Sequence, residues 1–487
     1  MDYVRYYLLY LPTISILSFV ISLFLRTYNS DGISVGLPSL RGLLKKNIIL
    51  FLIFSAIFPV LFQYLDLGYI CSISIICFST LLLEDFLKVR ISFNSGAAWK
   101  LLNAFFLALL PLLILSPKVI ASINSVDFYD YDLKRCLEQC YFLRPSIIHI
   151  LYSFIYVPIV CAFSAVNFFV FGNEFLSLGL AYKIVAVLQV LQIAVSSILL
   201  CEIFKILNVN SFIAYVSSLI YIFLGAIVIA SFIPETYIPS SFLLIAYTYF
   251  YLKRKDAWIL LWILSFFMNP VCVLPGVAYF LFYGKGILQK AVSYVSSQKC
   301  VYAYALPAIL FALVLLYSMA HILRAYIDFS LLDNICNYSP CFFEYQLFAQ
   351  FFMPDVSVME KSQSVSLIIQ EVTKNSVYLL VPIAAFMAVG VAALKNNALK
   401  YGFLLLLLCE YVLHIALAYQ PTTGVLYSNL YVLPAFVFFI VGVCFVFGKI
   451  NLTLTKAIMA GLLVLLFSYE FYKLFELREI LASLSAR

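Results

Sequence analysis

The sequence predicts an all-α, polytopic transmembrane helical bundle of about 13 or 14 spans, with short amphipathic helices outside it. Three observations carry this. The chain is 65% hydrophobic and only 11% charged over 487 residues, against roughly 25% charged residues in soluble domains. Apolar runs near bilayer length recur along the whole sequence. The basic residues collect in the short stretches between those runs, as the positive-inside bias requires.

The runs lie near 6–25, 47–65, 68–83, 101–120, 147–170, 176–204, 211–233, 238–252, 257–284, 301–323, 377–394, 401–418, 430–448 and 454–473. No small-residue cleavage site precedes the basic loop after Arg26, so the first run is predicted as a retained span. Arg26, Arg41, Lys45 and Lys46, then Lys88, Arg90 and Lys100, then Lys253, Arg254 and Lys255, and later Lys395 and Lys400, mark cytoplasmic loops. By alternation from the first two groups, loop 121–146 falls outside. The net charge of +7 is accounted for by these loops and implies membrane lipids, not nucleic acid, as the partner.

Counting 147–170, 176–204, 211–233 and 238–252 as single crossings from that external loop returns the chain to the outside at Lys253, where three positive charges argue for the inside. One segment is therefore miscounted. The two suspects are 176–204, which is long and carries Lys183 and Glu202, and 257–284, which Asn269-Pro270 divides into halves too short to cross upright.

Most of the 12 cysteines, among them Cys71, Cys77, Cys161, Cys201, Cys272, Cys409 and Cys444, fall in apolar runs, where a thiol is a small hydrophobe. Cys136/Cys140 and Cys336/Cys341 fall in external loops, where an oxidising compartment permits local disulfides. The three histidines lack ligand spacing to any cysteine.

Two loops break the pattern of short connections, 121–146 and 324–376, and long loops in compact folds are commonly functional. In the second, segment 342–353 (FFEYQLFAQFFM) is too short to span and too apolar for solvent, so it is predicted to lie in the interface. Residues 130–143 of the first have the spacing of a short surface helix.

Candidate chemistry concentrates in the stretch NSVDFYDYDLKRCLEQCYFLRP, residues 124–145. Asp127 and Asp130 share a face on a helix, whereas Asp130 and Asp132 share one on a strand. Either pairing puts two carboxylates together, which suits a general base or a divalent cation held by Asp130 and Asp132. An ordinary wet loop is the plain alternative. Arg144-Pro145 follows where the chain re-enters the membrane, and a guanidinium there is placed to hold a phosphate or to anchor beside headgroups. His149, one turn on, needs a polar partner at its depth. Glu235, in Pro234-Glu235-Thr236, either faces a cavity or ends a helix. Tyr427 and Asn429 put a hydroxyl and an amide at a span's entrance, suited to sugar hydroxyls or to interfacial capping. Asn269 is the polar break in run 257–284, and Arg324 opens the second loop as its only arginine. No phosphate-binding G-x-x-x-x-G-K-[ST] loop or G-x-G-x-x-G turn is present, which argues against a pump driven directly by ATP.

In their order, these parts resemble the GT-C class of membrane glycosyltransferases, which includes protein O-mannosyltransferases and lipid A aminoarabinose transferases. The resemblance rests on the acidic loop, Arg144-Pro145, the Pro234-Glu235 turn, Trp258 and Trp262 before Asn269-Pro270, and Tyr427, Tyr431 and Pro434, over about residues 101–450. It implies an N-terminal three-span addition at 1–100, a catalytic core at 101–450 and a last span and tail at 451–487. It departs from the class in that addition, in D-F-Y-D-Y-D where relatives carry D-E, and in lacking a lysine at the Asn269 break. The implied activity is inverting transfer of a sugar from a polyprenyl-phosphate donor to a lipid, glycan or protein acceptor at the external face of a bacterial inner membrane. Asp130 or Asp127 is then the base, with Arg144, and a divalent metal if one is used, on the departing phosphate. The rival classes are a transporter or flippase for lipid-linked glycans and a polysaccharide polymerase. A transporter is expected to carry charge deep in its spans, whereas the charge here is read as lying in loops.

Overall fold

The computed structural model describes residues 95–122, a few positions between 156 and 168, and 178–233, 236–255, 257–282, 347–353, 356–361, 364–369, 377–412, 424–448 and 450–485. These residues are almost wholly helical. The helices are α1 (Ser95–Ser122), α2 (Leu178–Ile206), α3 (Ser211–Ile222), α4 (Gly225–Phe232), α5 (Tyr237–Leu252) and α6 (Ala257–Met268). They continue with α7 (Pro270–Phe282), α8 (Val377–Ala393), α9 (Asn397–Glu410), α10 (Gly424–Gly448) and α11 (Leu452–Ser485). One departure from an all-helical expectation is an antiparallel hairpin of β1 (Val356–Lys361) and β2 (Ser364–Ile369), with Lys361 opposite Ser364.

Among the described residues, three helices are long and apolar enough to cross a membrane, at Leu180–Ile206, Leu430–Gly448 and Leu452–Ile480, and the α3–α4 pair makes a fourth if its two halves are one span. That pair bends by 49° between Ile222 and Gly225. The predicted run 211–233 is thus two helices. Phe223 fills the bend, its ring edge-on to Phe467 of α11 at 5.0 Å. Gly225 opens α4 because the backbone of Phe352 and Met353 lies against it, leaving no room for a Cβ.

Contacts along the helices fix which ends lie together. Lys100 near the start of α1 sits over the Tyr215 ring of α3 at 5.6 Å. Lys456 near the start of α11 sits over Phe212, also on α3, at 5.8 Å. Cys201, in the last turns of α2, lies within electrostatic reach of Lys205 and of Lys100. The starts of α1, α3 and α11 and the end of α2 therefore share one end of the bundle. At the opposite end the Tyr182 hydroxyl, near the start of α2, donates to the Phe232 carbonyl at the end of α4. Helix α5 starts beside it and runs back, so that Lys253, Arg254 and Lys255 return to the first end. The turn there is tight: Arg254 takes a left-handed φ of 54°, a conformation uncommon for a side chain with a Cβ.

Segment 257–282 folds back on itself. Were α7 to continue the direction of α6, Trp258 and Tyr279 would be separated by about 30 Å at 1.5 Å per residue; their rings are 6.2 Å apart. The Tyr251 ring of α5 stacks on Tyr279 at 4.1 Å, the Tyr247 hydroxyl donates to the Cys272 carbonyl at 2.7 Å, and Trp262 Nε1 donates to the Val273 carbonyl at 2.8 Å. Going from 272 to 279 the chain thus retraces α5 from 247 to 251. It enters from the basic end, reverses at Asn269-Pro270 and leaves at the same end. Phe282, at the exit, stacks on Tyr401 near the start of α9 at 5.9 Å.

Of the two suspect runs, the first is one continuous helix over Leu178–Ile206, and the second, over residues 257–282, is two helices packed back on each other. Helix α1 ends, and α2 begins, at the end opposite the basic one. The same geometry makes a prediction for membrane vesicles. In a background stripped of the 12 native cysteines, Arg254→Cys and Phe282→Cys are expected to react with an impermeant thiol reagent from the same side. Reaction of Phe282→Cys from the opposite side would show that the segment crosses.

The segment predicted to float in the interface, 342–353, is corrected over its described part. Leu347, Phe348, Ala349, Gln350, Phe351 and Met353 are all buried, whereas an interfacial helix keeps one face wet. In the described part the polar side chain is Gln350, whose Nε2 is paired inside the protein with Glu410.

Candidate functional site

The described residues most unlike their surroundings are two carboxyls deep among apolar helices. Glu410, the last residue of α9, is buried and accepts a hydrogen bond from Gln350 Nε2 at 2.6 Å. Glu470 of α11 is fully buried and its Oε1 accepts from the Met353 amide at 2.9 Å. The neighbouring Tyr469 hydroxyl donates to the Met353 carbonyl at 3.0 Å. Both acids are thus fastened to one short segment, 347–353, three residues apart along it. Gln350 Oε1 and Glu470 Oε2 have no hydrogen-bond partner among the described residues.

The tip of the 257–282 hairpin lies beside Glu410. A Cβ on Gly402 of α9 would lie 3.0 Å from the Pro275 backbone and the Tyr279 ring, and one to two turns further on Cys409 is within electrostatic reach of Cys272. Asn269 makes the reversal possible. Its backbone is extended, its side-chain oxygen accepts from the Val271 amide at 3.1 Å, and Pro270 follows as the first residue of a 3-10 turn. A proline there costs no hydrogen bond, since its missing N–H is one that a helix start leaves unpaired. The carbonyls of the tip are occupied by Cys272 N–H, the Tyr247 hydroxyl and the Trp262 indole. The hairpin is therefore a built element whose tip carbonyls are met inside the protein.

Of the residues singled out from sequence, Asn269 has a described side chain, and the structure gives it the role of helix cap. Tyr427 and Asn429 lie in the first two turns of α10, at the end opposite the basic one, because α10 finishes at Gly448, beside the start of α11. Asp127, Asp130, Asp132, Arg144, His149, Glu235 and Arg324 lie outside the described residues, as do the pairs Cys136/Cys140 and Cys336/Cys341. The flanks of two of these stretches are described: α1 delivers the chain into 123–146, and Ile233 and Thr236 bracket Glu235, both at the end opposite the basic one. Among the described residues no group of three metal-ligating side chains occurs, and Cys201, Cys272, Cys409 and Cys444 are free thiols.

No protein-family model, curated protein or solved structure matches the chain.

Glu410 and Glu470 correct the reading that charge is confined to loops. Both sit inside runs counted as spans from hydropathy, 401–418 and 454–473, where a single acid hardly lowers the average. The available signal was an isolated acid within a long apolar run, LLLLLCEYVL and LLFSYEFYKL, which in a membrane segment is a functional candidate by default.

Proposed function

We propose that the protein is a multi-pass integral-membrane glycosyltransferase that moves a sugar from a polyprenyl-phosphate donor to an acceptor at the external face of a bacterial inner membrane. The observation that carries this reading is the gathering of its parts at one end. The acidic loop leaves α1, the Pro234-Glu235 turn joins α4 to α5, and Tyr427 opens α10, all opposite the end that carries Lys100, Lys205, Lys253, Arg254, Lys395 and Lys456. By the positive-inside bias the basic end is cytoplasmic, so these parts face outward, where a lipid-linked donor is used. In this mechanism an aspartate of 127–132 takes the proton from the acceptor hydroxyl as the sugar's anomeric carbon is attacked, and Arg144 neutralises the phosphate that leaves. Asn269, at the tip of a hairpin entering from the basic end, is assigned no contact with the donor.

The test is transfer from radiolabelled polyprenyl-phosphate sugars in membranes. At least one of Asp127→Asn, Asp130→Asn and Asp132→Asn is expected to lose about 100-fold in rate, the usual scale for a general base. Full activity in all three removes the proposal. A second reading, a transporter or flippase for lipid-linked glycans, is favoured by the buried Glu410 and Glu470. It predicts movement of the lipid-linked sugar across proteoliposomes without transfer of the sugar to an acceptor.

A further inference from the structure

We infer that the face of α3 lying between Lys100 of α1 and Lys456 of α11, at the basic end of the bundle, holds an anionic phospholipid. This goes beyond the transferase reading and does not depend on it.

Convergence comes first. Lys100 Nζ lies over the Tyr215 ring at 5.6 Å and Lys456 Nζ over the Phe212 ring at 5.8 Å. The two rings stand three residues apart on α3, so they are neighbours on one face of it. Helix α11 packs along both α1 and α3, which brings its lysine and that of α1 to the same helix start. Cys201, near the end of α2, is within electrostatic reach of Lys100 and of Lys205, so a third lysine borders the patch.

The charge of this patch is unbalanced. Its acid, Glu202, is joined to Lys205 at 2.5 Å. Lys100 and Lys456 have no acid partner among the described residues. A ring face meets one side of an ammonium, whose N–H donors still call for acceptors. The starts of α3 and α11 are capped by the neutral Asn210 and Asn451 and carry no acid in their first turns, so their dipoles add to the positive field.

Placement makes the anion a lipid. Both lysines sit in the second turn of a helix that leaves the basic end, and side chains on such helices tilt back toward that end. This is how a base within a span reaches the headgroups. The stripe beneath them is apolar: Phe212, Tyr215 and Leu219 follow at spacings of three and four, Phe212 is 47% exposed, and the other two are half-buried. A soluble phosphate would use the cations and leave the stripe bare. A phospholipid uses both, with its phosphate at the lysines and an acyl chain along α3.

The experiment is native mass spectrometry of the full chain with phosphatidylglycerol or phosphatidylcholine of the same acyl chains. Wild type is compared with Lys100→Gln/Lys456→Gln, with the charge-keeping Lys100→Arg/Lys456→Arg, and with Lys395→Gln/Lys400→Gln, which removes equal charge from another part of the basic end. Wild type is expected to prefer phosphatidylglycerol by about tenfold, the scale for two bases at an anionic surface. The first variant loses most of that preference, and the other two keep it. An absent preference in wild type, an equal loss in the two glutamine variants, or a loss in the arginine variant overturns the inference. So does protection against heating by glycerol phosphate equal to that by phosphatidylglycerol, which would mark a site for a soluble anion.

Discussion

Gly442→Leu is expected to break the contact between α8 and α10 and to cost about 3 kcal/mol or more, the upper range for overpacking a closed interior. The reason is a reciprocal approach of two backbones. A Cβ on Gly442 would run into the Phe386 carbonyl and lie 3.1 Å from the Gly390 amide nitrogen, while a Cβ on Gly390 would run into the Phe438 carbonyl. Each glycine thus faces the carbonyl four residues before the other. Between helices in lipid, where no difference in hydrophobicity drives association, such close packing of small residues is a main source of attraction. Backbone atoms cannot rotate aside as a side chain can. Gly390→Leu is expected to behave alike, whereas Gly448→Leu and Gly461→Leu, with nothing within 4 Å, serve as controls. The measurement is thermal stability in detergent by size-exclusion recovery after heating. Equal recovery of Gly442→Leu and Gly461→Leu would contradict the close approach.

Glu470→Ala is the second large effect, expected to cost about 3 kcal/mol: the Met353 amide is left buried without an acceptor, at about 1–3 kcal/mol, and a cavity opens beside it. Glu470→Gln keeps an oxygen acceptor of the same reach and is expected to lose clearly less. The ordering Ala below Gln below wild type, read by the same heating assay, identifies the hydrogen bond as the cause. If Ala and Gln fall equally, the carboxyl's charge and not its bond to Met353 holds the segment. Limited proteolysis offers a second readout. Segment 347–353, released in Glu470→Ala, is expected to be cleaved before the helices melt.

Much of the helical layout was legible. Runs 176–204, 238–252 and 430–448 correspond closely to α2, α5 and α10, because a segment that is apolar on every side has few stable conformations besides a helix. The reversal at Asn269-Pro270 was visible as a break, since Asn before Pro favours extended backbone and a new helix start. What could not be seen was whether the second half continued or turned back. That depended on Tyr247, Tyr251 and Trp262 meeting Cys272, Tyr279 and Val273, contacts made between separate elements. The bend at Phe223 left no sequence mark either: it contains no proline, and it exists because Gly225 must admit the backbone of residues 352 and 353. For the candidate site, sequence pointed to the acids of a loop and passed over Glu410 and Glu470, since hydropathy averaged over a span hides one carboxyl.

Sequence alone pointed to a membrane environment and an orientation signal: an excess of apolar residues, and bases in the connections between apolar runs. These are additive properties, summed over composition and read without knowing which residues touch. The tertiary structure decided which apolar runs retrace their path, which glycines let helices close on each other, and that two isolated acids share one partner segment. Each of these is a pairwise fact between residues distant in the chain, 60 and 117 positions apart for the two acids, and the energy that favours it exists only when both partners have been brought to the same place.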